Sequence, residues 1–272
     1  MRRPPYLPFL DGPLSLAPGL KPIDPDTWLL PDTEAHVLGE KRALMAAQRG
    51  DVYAVREGSE AAALELASAV HAVAGAAVGA WPSALEGAAS AVSDDFCILI
   101  KDSGGEWRLE AASVCAPTFW RLEDTIGKPL GGLHAPVPGA NPGLVGRIHR
   151  MFDAIRPGTV LERFNWNVQP GPDRFTPSQA AFKAQADAMP VEGALDALWL
   201  RVERQTISKL PVSGAMVFSI RVAIDPLRAA LPDAMHLNAF RAAWDGIDAG
   251  LRDYKGWPHY EHLVRAALAE AG

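Results

Sequence analysis

Residues 95–115 read Asp95-Phe96-Cys97-Ile98-Leu99-Ile100-Lys101, then Asp102-Ser103-Gly104-Gly105-Glu106, then Trp107-Arg108-Leu109-Glu110-Ala111-Ala112-Ser113-Val114-Cys115. Two β-rich runs flank a turn built of Asp, Ser and two glycines, which is hairpin composition, so strands Asp95–Lys101 and Trp107–Cys115 are predicted to pair. Outward from the hairpin, three further strands are predicted at Val160–Gln169, Leu198–Ile207 and Ala215–Ile224, each alternating or β-branched. Leu210-Pro211-Val212-Ser213-Gly214 joins the last two. Between the second and third strands a helix over Leu144–Ile155 puts Leu144, Ile148, Met151, Phe152 and Ile155 on one apolar stripe. Five strands with helices inserted between the second and third make an α+β arrangement, an antiparallel sheet with flanking helices on one face. Strands that follow strands exclude a doubly wound parallel sheet.

Upstream, residues 1–30 are rich in Pro and Leu without periodicity, an extended N-terminal arm. Helices are predicted over Thr33–Gln48 and Ser59–Val78, and near Met235–Arg252 and His259–Ala269. A chain of 272 residues, 49% of them apolar, can bury a sizeable core, and one domain over 31–272 is the simplest reading. A formal charge of -6 argues against nucleic acid as a partner, because phosphate binders carry a basic surface. No stretch approaches a membrane span; Glu65, Ser68 and His71 interrupt the Ala-rich run Ala61–Trp81. Met-Arg-Arg runs straight into Pro4 and Pro5 without an apolar h-region, which places the protein in the cytoplasm. Cys97 and Cys115 fall in apolar runs and read as buried thiols. There is no phosphate loop, nucleophile elbow, dinucleotide fingerprint or paired-cysteine motif, and so no hydrolase or kinase reading.

Alternation along the third strand puts Leu161, Arg163, Asn165, Asn167 and Gln169 on one face and Phe164, Trp166 and Val168 on the other. The fourth sets Arg201, Glu203 and Gln205 against Leu200, Val202 and Arg204; the fifth sets Ser219 and Arg221 against Phe218, Ile220 and Val222. Polar groups thus align across the sheet. They are either the wetted side of a half-buried sheet or the lining of a pocket, where arginines could hold an anionic cofactor and the carboxylate a cationic substrate. His134 lies in Gly131-Gly132-Leu133-His134-Ala135-Pro136-Val137-Pro138, a stiffened loop that could present a metal ligand or a surface imidazole. His149, on the amphipathic helix, competes for the same role, and the other histidines show no zinc or non-heme iron spacing.

The hairpin, a helical crossover and then three consecutive strands follow the order of a PAS-like fold. A series of blocks carries a more specific resemblance: Leu20-Lys21-Pro22 with Trp28-Leu29, Asp95 to Leu99, Ala116-Pro117-Thr118-Phe119-Trp120, Ile126-Gly127-Lys128-Pro129-Leu130 and Leu133 to Pro138. Arg163-Phe164-Asn165-Trp166, Arg201-Val202-Glu203-Arg204-Gln205-Thr206 and Val217-Phe218-Ser219-Ile220-Arg221 complete it. In this order, over about residues 20–260, they resemble the catalytic, heme-binding subunit of heme-dependent oxidative N-demethylases, a family first known only as a domain of unknown function. Thr118 stands where that family has serine, and Ile207-Ser208-Lys209 replaces a more basic stretch.

The resemblance implies a PAS-like heme-binding domain over 31–272. It implies heme b (iron protoporphyrin IX) and a monooxygenase-type oxidoreductase that uses O2 to demethylate a small secondary amine such as dimethylamine, releasing formaldehyde. It implies His134 as the axial metal ligand, and Glu203, Asn165 and Gln205 as the catalytic set, Glu203 meeting the substrate ammonium. Arg163, Arg201, Arg204 and Trp166 are implied around the cofactor, the arginines toward its propionates. Arg201 and Arg204 cannot share a strand face, so one of them must do something else. Electrons would come from NADPH through a separate flavin and iron-sulfur reductase, since two cysteines cannot hold a cluster. Two rival readings remain: a heme-binding gas or redox sensor, and a non-catalytic interaction module.

Overall fold

A computed structural model describes residues 3–15, 19–32, 34–75, 79–138 and 142–272. The expected helix start at Thr33, the helix end over residues 76–78 and the loop residues 139–141 lie outside these. Among the described residues seven strands form one sheet: β1 (Lys21–Ile23), β2 (Tyr53–Val55), β3 (Asp95–Lys101), β4 (Trp107–Ser113), β5 (Val160–Pro170), β6 (Leu198–Lys209) and β7 (Met216–Pro226). Their order is β1-β5-β6-β7-β3-β4-β2.

The five expected strands fill the five inner positions, and the expected count of five is corrected to seven by the edges. β1 pairs antiparallel with β5 (Pro22↔Leu161), and β2 pairs antiparallel with β4 (Ala54↔Ala112). Each edge strand is three residues long, too short to show a period of two, and β1 contains a proline that only an edge tolerates.

The hairpin forms as read, with Lys101 opposite Trp107 and Phe96 opposite Ser113. Asp102 closes its turn by accepting the Gly104 and Glu106 N–H groups, both at 2.9 Å, while Gly105 takes a left-handed φ of 87°. Arg108 Nε donates to Asp102 at 2.6 Å. That hydrogen bond, first among several, holds the Asp102 carboxyl below its ordinary value.

The chain falls into two compact units whose boundaries lie at 19/20 and within β5, β6 and β7. One comprises residues 1–19, 164–204 and 222–272; the other comprises 20–163 and 205–221. In the second unit the Pro142–Ala154 helix lays the predicted stripe, Leu144, Ile148 and Phe152, against Leu99, Trp107, Ile207 and Met216. The Phe152 and Trp107 rings meet edge to face at 5.7 Å. At the start of β3, Arg221 Nε and Nη2 donate to Asp94 Oδ2 at 2.8 and 2.5 Å, and Nη1 donates to the Pro31 carbonyl.

The first unit is centred on an aromatic core. Trp166, 1% exposed, packs among Phe9, Phe240, Trp244 and Trp257, and the last two stack 3.8 Å apart. Phe9 sits on a 3₁₀ turn over Pro8–Asp11, so the amino-terminal arm is not extended throughout. The single helix expected over Met235–Arg252 is two, Ala234–Asp245 and Ala249–Tyr254. Asp248 starts the second by accepting the Gly250 N–H at 2.9 Å. No described helix is long and apolar enough to cross a membrane.

Candidate functional site

In the first unit the polar faces of β5 and β6 meet as alternation predicts. Asn165 Nδ2 donates to Glu203 Oε2 at 3.1 Å, and Arg201 Nε lies 3.8 Å from Glu203 Oε1. Arg201 Nη1 also donates to the Arg174 carbonyl at 3.2 Å and to Gln169 Oε1 at 3.4 Å. None of this is a wetted face. Arg201 is 1% exposed, Arg204 3% and Glu203 8%. A buried guanidinium is tolerated here because carbonyl, amide and carboxylate oxygens surround it.

The cover comes from the carboxy-terminal segment. Lys255, 8% exposed, donates from Nζ to Asn165 Oδ1 at 2.8 Å and to the Trp166 carbonyl at 3.1 Å. Trp257 Nε1 and Tyr260 Oη both donate to Asn167 Oδ1 at 2.6 Å. Tyr254, 44% exposed, is no part of this cover, though partial desolvation and then the Glu203 charge push its phenol up. Tyr254 is the last residue of its helix and Lys255 caps it; neither position carries a local sequence signature. Glu203 also differs from the carboxylate the sequence suggests, one waiting for a cation: Arg201 and Asn165 already engage it.

Trp166 belongs to the aromatic core described above. Arg163 and Gln205, half-buried, belong to the second unit. So does His134, which ends a short helix, Leu130–His134, inside what reads as loop. Leu130 is fully packed and Leu133 joins two apolar clusters, so the turn that carries the imidazole is anchored. His134 Nδ1 lies 2.8 Å from the Leu130 carbonyl. A carbonyl can only accept, so Nδ1 carries the proton and Nε2 of the neutral ring is left with its lone pair.

The competing histidine is occupied differently, with His149 Nε2 3.4 Å from the Glu106 carboxylate. His236 Nδ1 lies 2.7 Å from Asp233, its own helix cap. His71 lines a cleft of about 370 Å³ between the Glu60–Ala74 and Ala84–Ala91 helices. Both cysteines are free and buried, and burial pushes each thiol up to about 12.

Compared with known protein families, residues 74–265 match the family described as haem-dependent oxidative N-demethylase, alpha subunit-like. The match takes in well over half of the chain, including His134, Arg163, Asn165, Trp166 and the whole Arg201–Gln205 block. It begins after the Leu20-Lys21-Pro22 and Trp28-Leu29 segments.

Proposed function

The chain belongs to the haem-dependent oxidative N-demethylase, alpha subunit-like family, and on that premise we propose that it uses heme b to demethylate a small secondary amine. The amine is of the dimethylamine class, the oxidant is O2, and the released carbon leaves as formaldehyde. The His134 imidazole carries this reading. Its Nδ1–H is committed to the Leu130 carbonyl at 2.8 Å, which fixes the tautomer whose Nε2 can ligate iron, the usual arrangement behind a metal-bound histidine. That tautomer supports His134 as the ligand to a heme iron.

His134 would hold the iron, and Arg163 and Arg204 are the cations proposed for the propionates. Arg201 is the one assigned elsewhere, because its guanidinium serves Glu203, Gln169 and the Arg174 carbonyl. Trp166 packs in the aromatic core. Bound heme supplies the one-electron and O2 chemistry that side chains lack. Glu203 meets the substrate ammonium, with Arg201 and Asn165 keeping its carboxylate in place, and Gln205 is proposed as a hydrogen-bonding partner near the amine.

A family described by an alpha subunit suggests a partner subunit. We assign it as a flavin and iron-sulfur reductase fed by NADPH, because two buried cysteines leave this chain no cluster site of its own. The cytoplasm, where NADPH is supplied, is the proposed compartment. The strand order β5-β6-β7-β3-β4 supports a PAS-like core.

The test is direct. Heme-loaded protein, reduced and mixed with O2 and dimethylamine, should release formaldehyde, and Glu203→Gln should spare heme while weakening amine binding. Heme-loaded protein that binds O2 and yields no formaldehyde from any small methylated amine would leave a sensor instead.

A further inference from the structure

Asn165 stands between two opposite charges. Its Oδ1 accepts from Lys255 Nζ at 2.8 Å and its Nδ2 donates to Glu203 Oε2 at 3.1 Å. The reversed amide would turn an NH2 toward an ammonium and a carbonyl oxygen toward a carboxylate, a mismatch at both ends, so the flanking charges decide its orientation. Lys255 is itself fixed. It caps the Ala249–Tyr254 helix, with its N–H on the Leu251 carbonyl at 3.0 Å, and Gly256 follows in a left-handed conformation at φ 71°. A second bond, to the Trp166 carbonyl at 3.1 Å, ties the ammonium to the backbone of β5. Burying an ammonium is costly unless acceptors meet it, and here the acceptors are the residue beside Glu203 and the backbone one residue further on.

We propose that Lys255 is a positioning residue: through Asn165 it sets the orientation of the Glu203 carboxylate, and so the amine's place in the site. This rests on the reading of Glu203 as the group that meets the amine. Lys255 need not touch substrate. It acts by holding the amide whose other end holds the acid.

The chain has four asparagines, Asn141, Asn165, Asn167 and Asn238, so selective ¹⁵N-asparagine labelling resolves four side-chain NH2 pairs in the whole protein. The pair missing in Asn165→Asp identifies Asn165. In wild type it should exchange slowly with water; in Lys255→Met it should shift and exchange at least tenfold faster, with Lys255→Arg in between. Should Lys255→Met fail to fold, Lys255→Leu, which also removes the donor, takes its place. A pair with wild-type shift and exchange in the folded donor-removing variant overturns the proposal.

The second arm is spectral titration of heme-loaded protein with dimethylamine. Lys255→Met should raise Kd about tenfold at wild-type heme content, and an unchanged Kd there also overturns the proposal. Glu203→Gln decides the underlying reading separately: if it leaves Kd at the wild-type value, Glu203 does not hold the amine, and the NMR arm still judges what Lys255 does to Asn165.

Discussion

Cys97 and Cys115 show how far a residue's surroundings alone decide its chemistry. Both thiols are buried and each is pushed up to about 12, first by desolvation and then by the charge of Asp95. A thiol is a nucleophile only as thiolate, and a value so far above neutral leaves almost none at pH 7 to 8. Native protein should therefore resist a thiol-specific reagent that labels two cysteines once denaturant is added; rapid native labelling of either would contradict the packing described. His134 is the opposite case, a ring whose one committed nitrogen prepares the other. Its candidacy is legible from the glycines and prolines around it, but its tautomer is not, because the Leu130 carbonyl comes within reach only once residues 130–134 coil into a helical turn.

At the scale of elements, two polar contacts carry more than their size suggests. Arg221, on β7, joins Asp94 and the Pro31 carbonyl in a buried pair. Arg221→Met would strand the Asp94 carboxylate, and breaking such a pair costs about 3–5 kcal/mol; urea denaturation should show a loss of that order. On the turn between β6 and β7, Glu65 accepts the Val212 and Ser213 N–H groups at 2.7 and 2.8 Å. Burial by itself would push Glu65 up, but the hydrogen bonds of the turn outweigh it and hold the carboxyl below its ordinary value. A carboxyl depressed in the folded state stabilises above its unfolded value, roughly 4.3, and loses that contribution as pH falls through the folded one. Glu65→Gln should cost about 1 kcal/mol at pH 7, and the gap to wild type should close below about pH 4. A gap that persists at pH 3 would mean that the carboxylate charge is not what holds the turn.

The same scale shows what a sequence can carry. The hairpin is legible because Asp102-Ser103-Gly104-Gly105 separates two strongly β-forming runs, and the 144–155 helix because its apolar residues recur every three or four positions. β1 and β2 are not, since three residues have no periodicity and only their partners make them strands. The break at Gly246-Ile247-Asp248 hides inside an otherwise helical pattern, although Asp248 before Ala249 is a cap signal that could have been read.

Across the whole molecule, the polar stripe over Asn165, Asn167 and Gln169 was visible as alternation, and so was its pairing with Arg201 and Glu203. Which side of that sheet meets water was not, because the answer lies some 90 residues downstream, in Lys255, Trp257 and Tyr260. That cover turns what could have been a solvated face into a buried network, and makes Glu203 a partnered carboxylate instead of a lone one. The family's name implies a haem dependence, and the histidines divide according to what holds each ring. His149 is drawn to Glu106 and His236 to Asp233, while His134 commits Nδ1 to the Leu130 carbonyl.

The proposed heme binding rests on that ring. The pyridine hemochrome assay on purified, heme-reconstituted protein measures it most directly: wild type and His149→Asn should each hold close to one heme per chain, and His134→Ala should lose most of it while keeping its far-UV circular dichroism. A folded His134→Ala protein with wild-type heme content, or a wild type that takes up none, would contradict it.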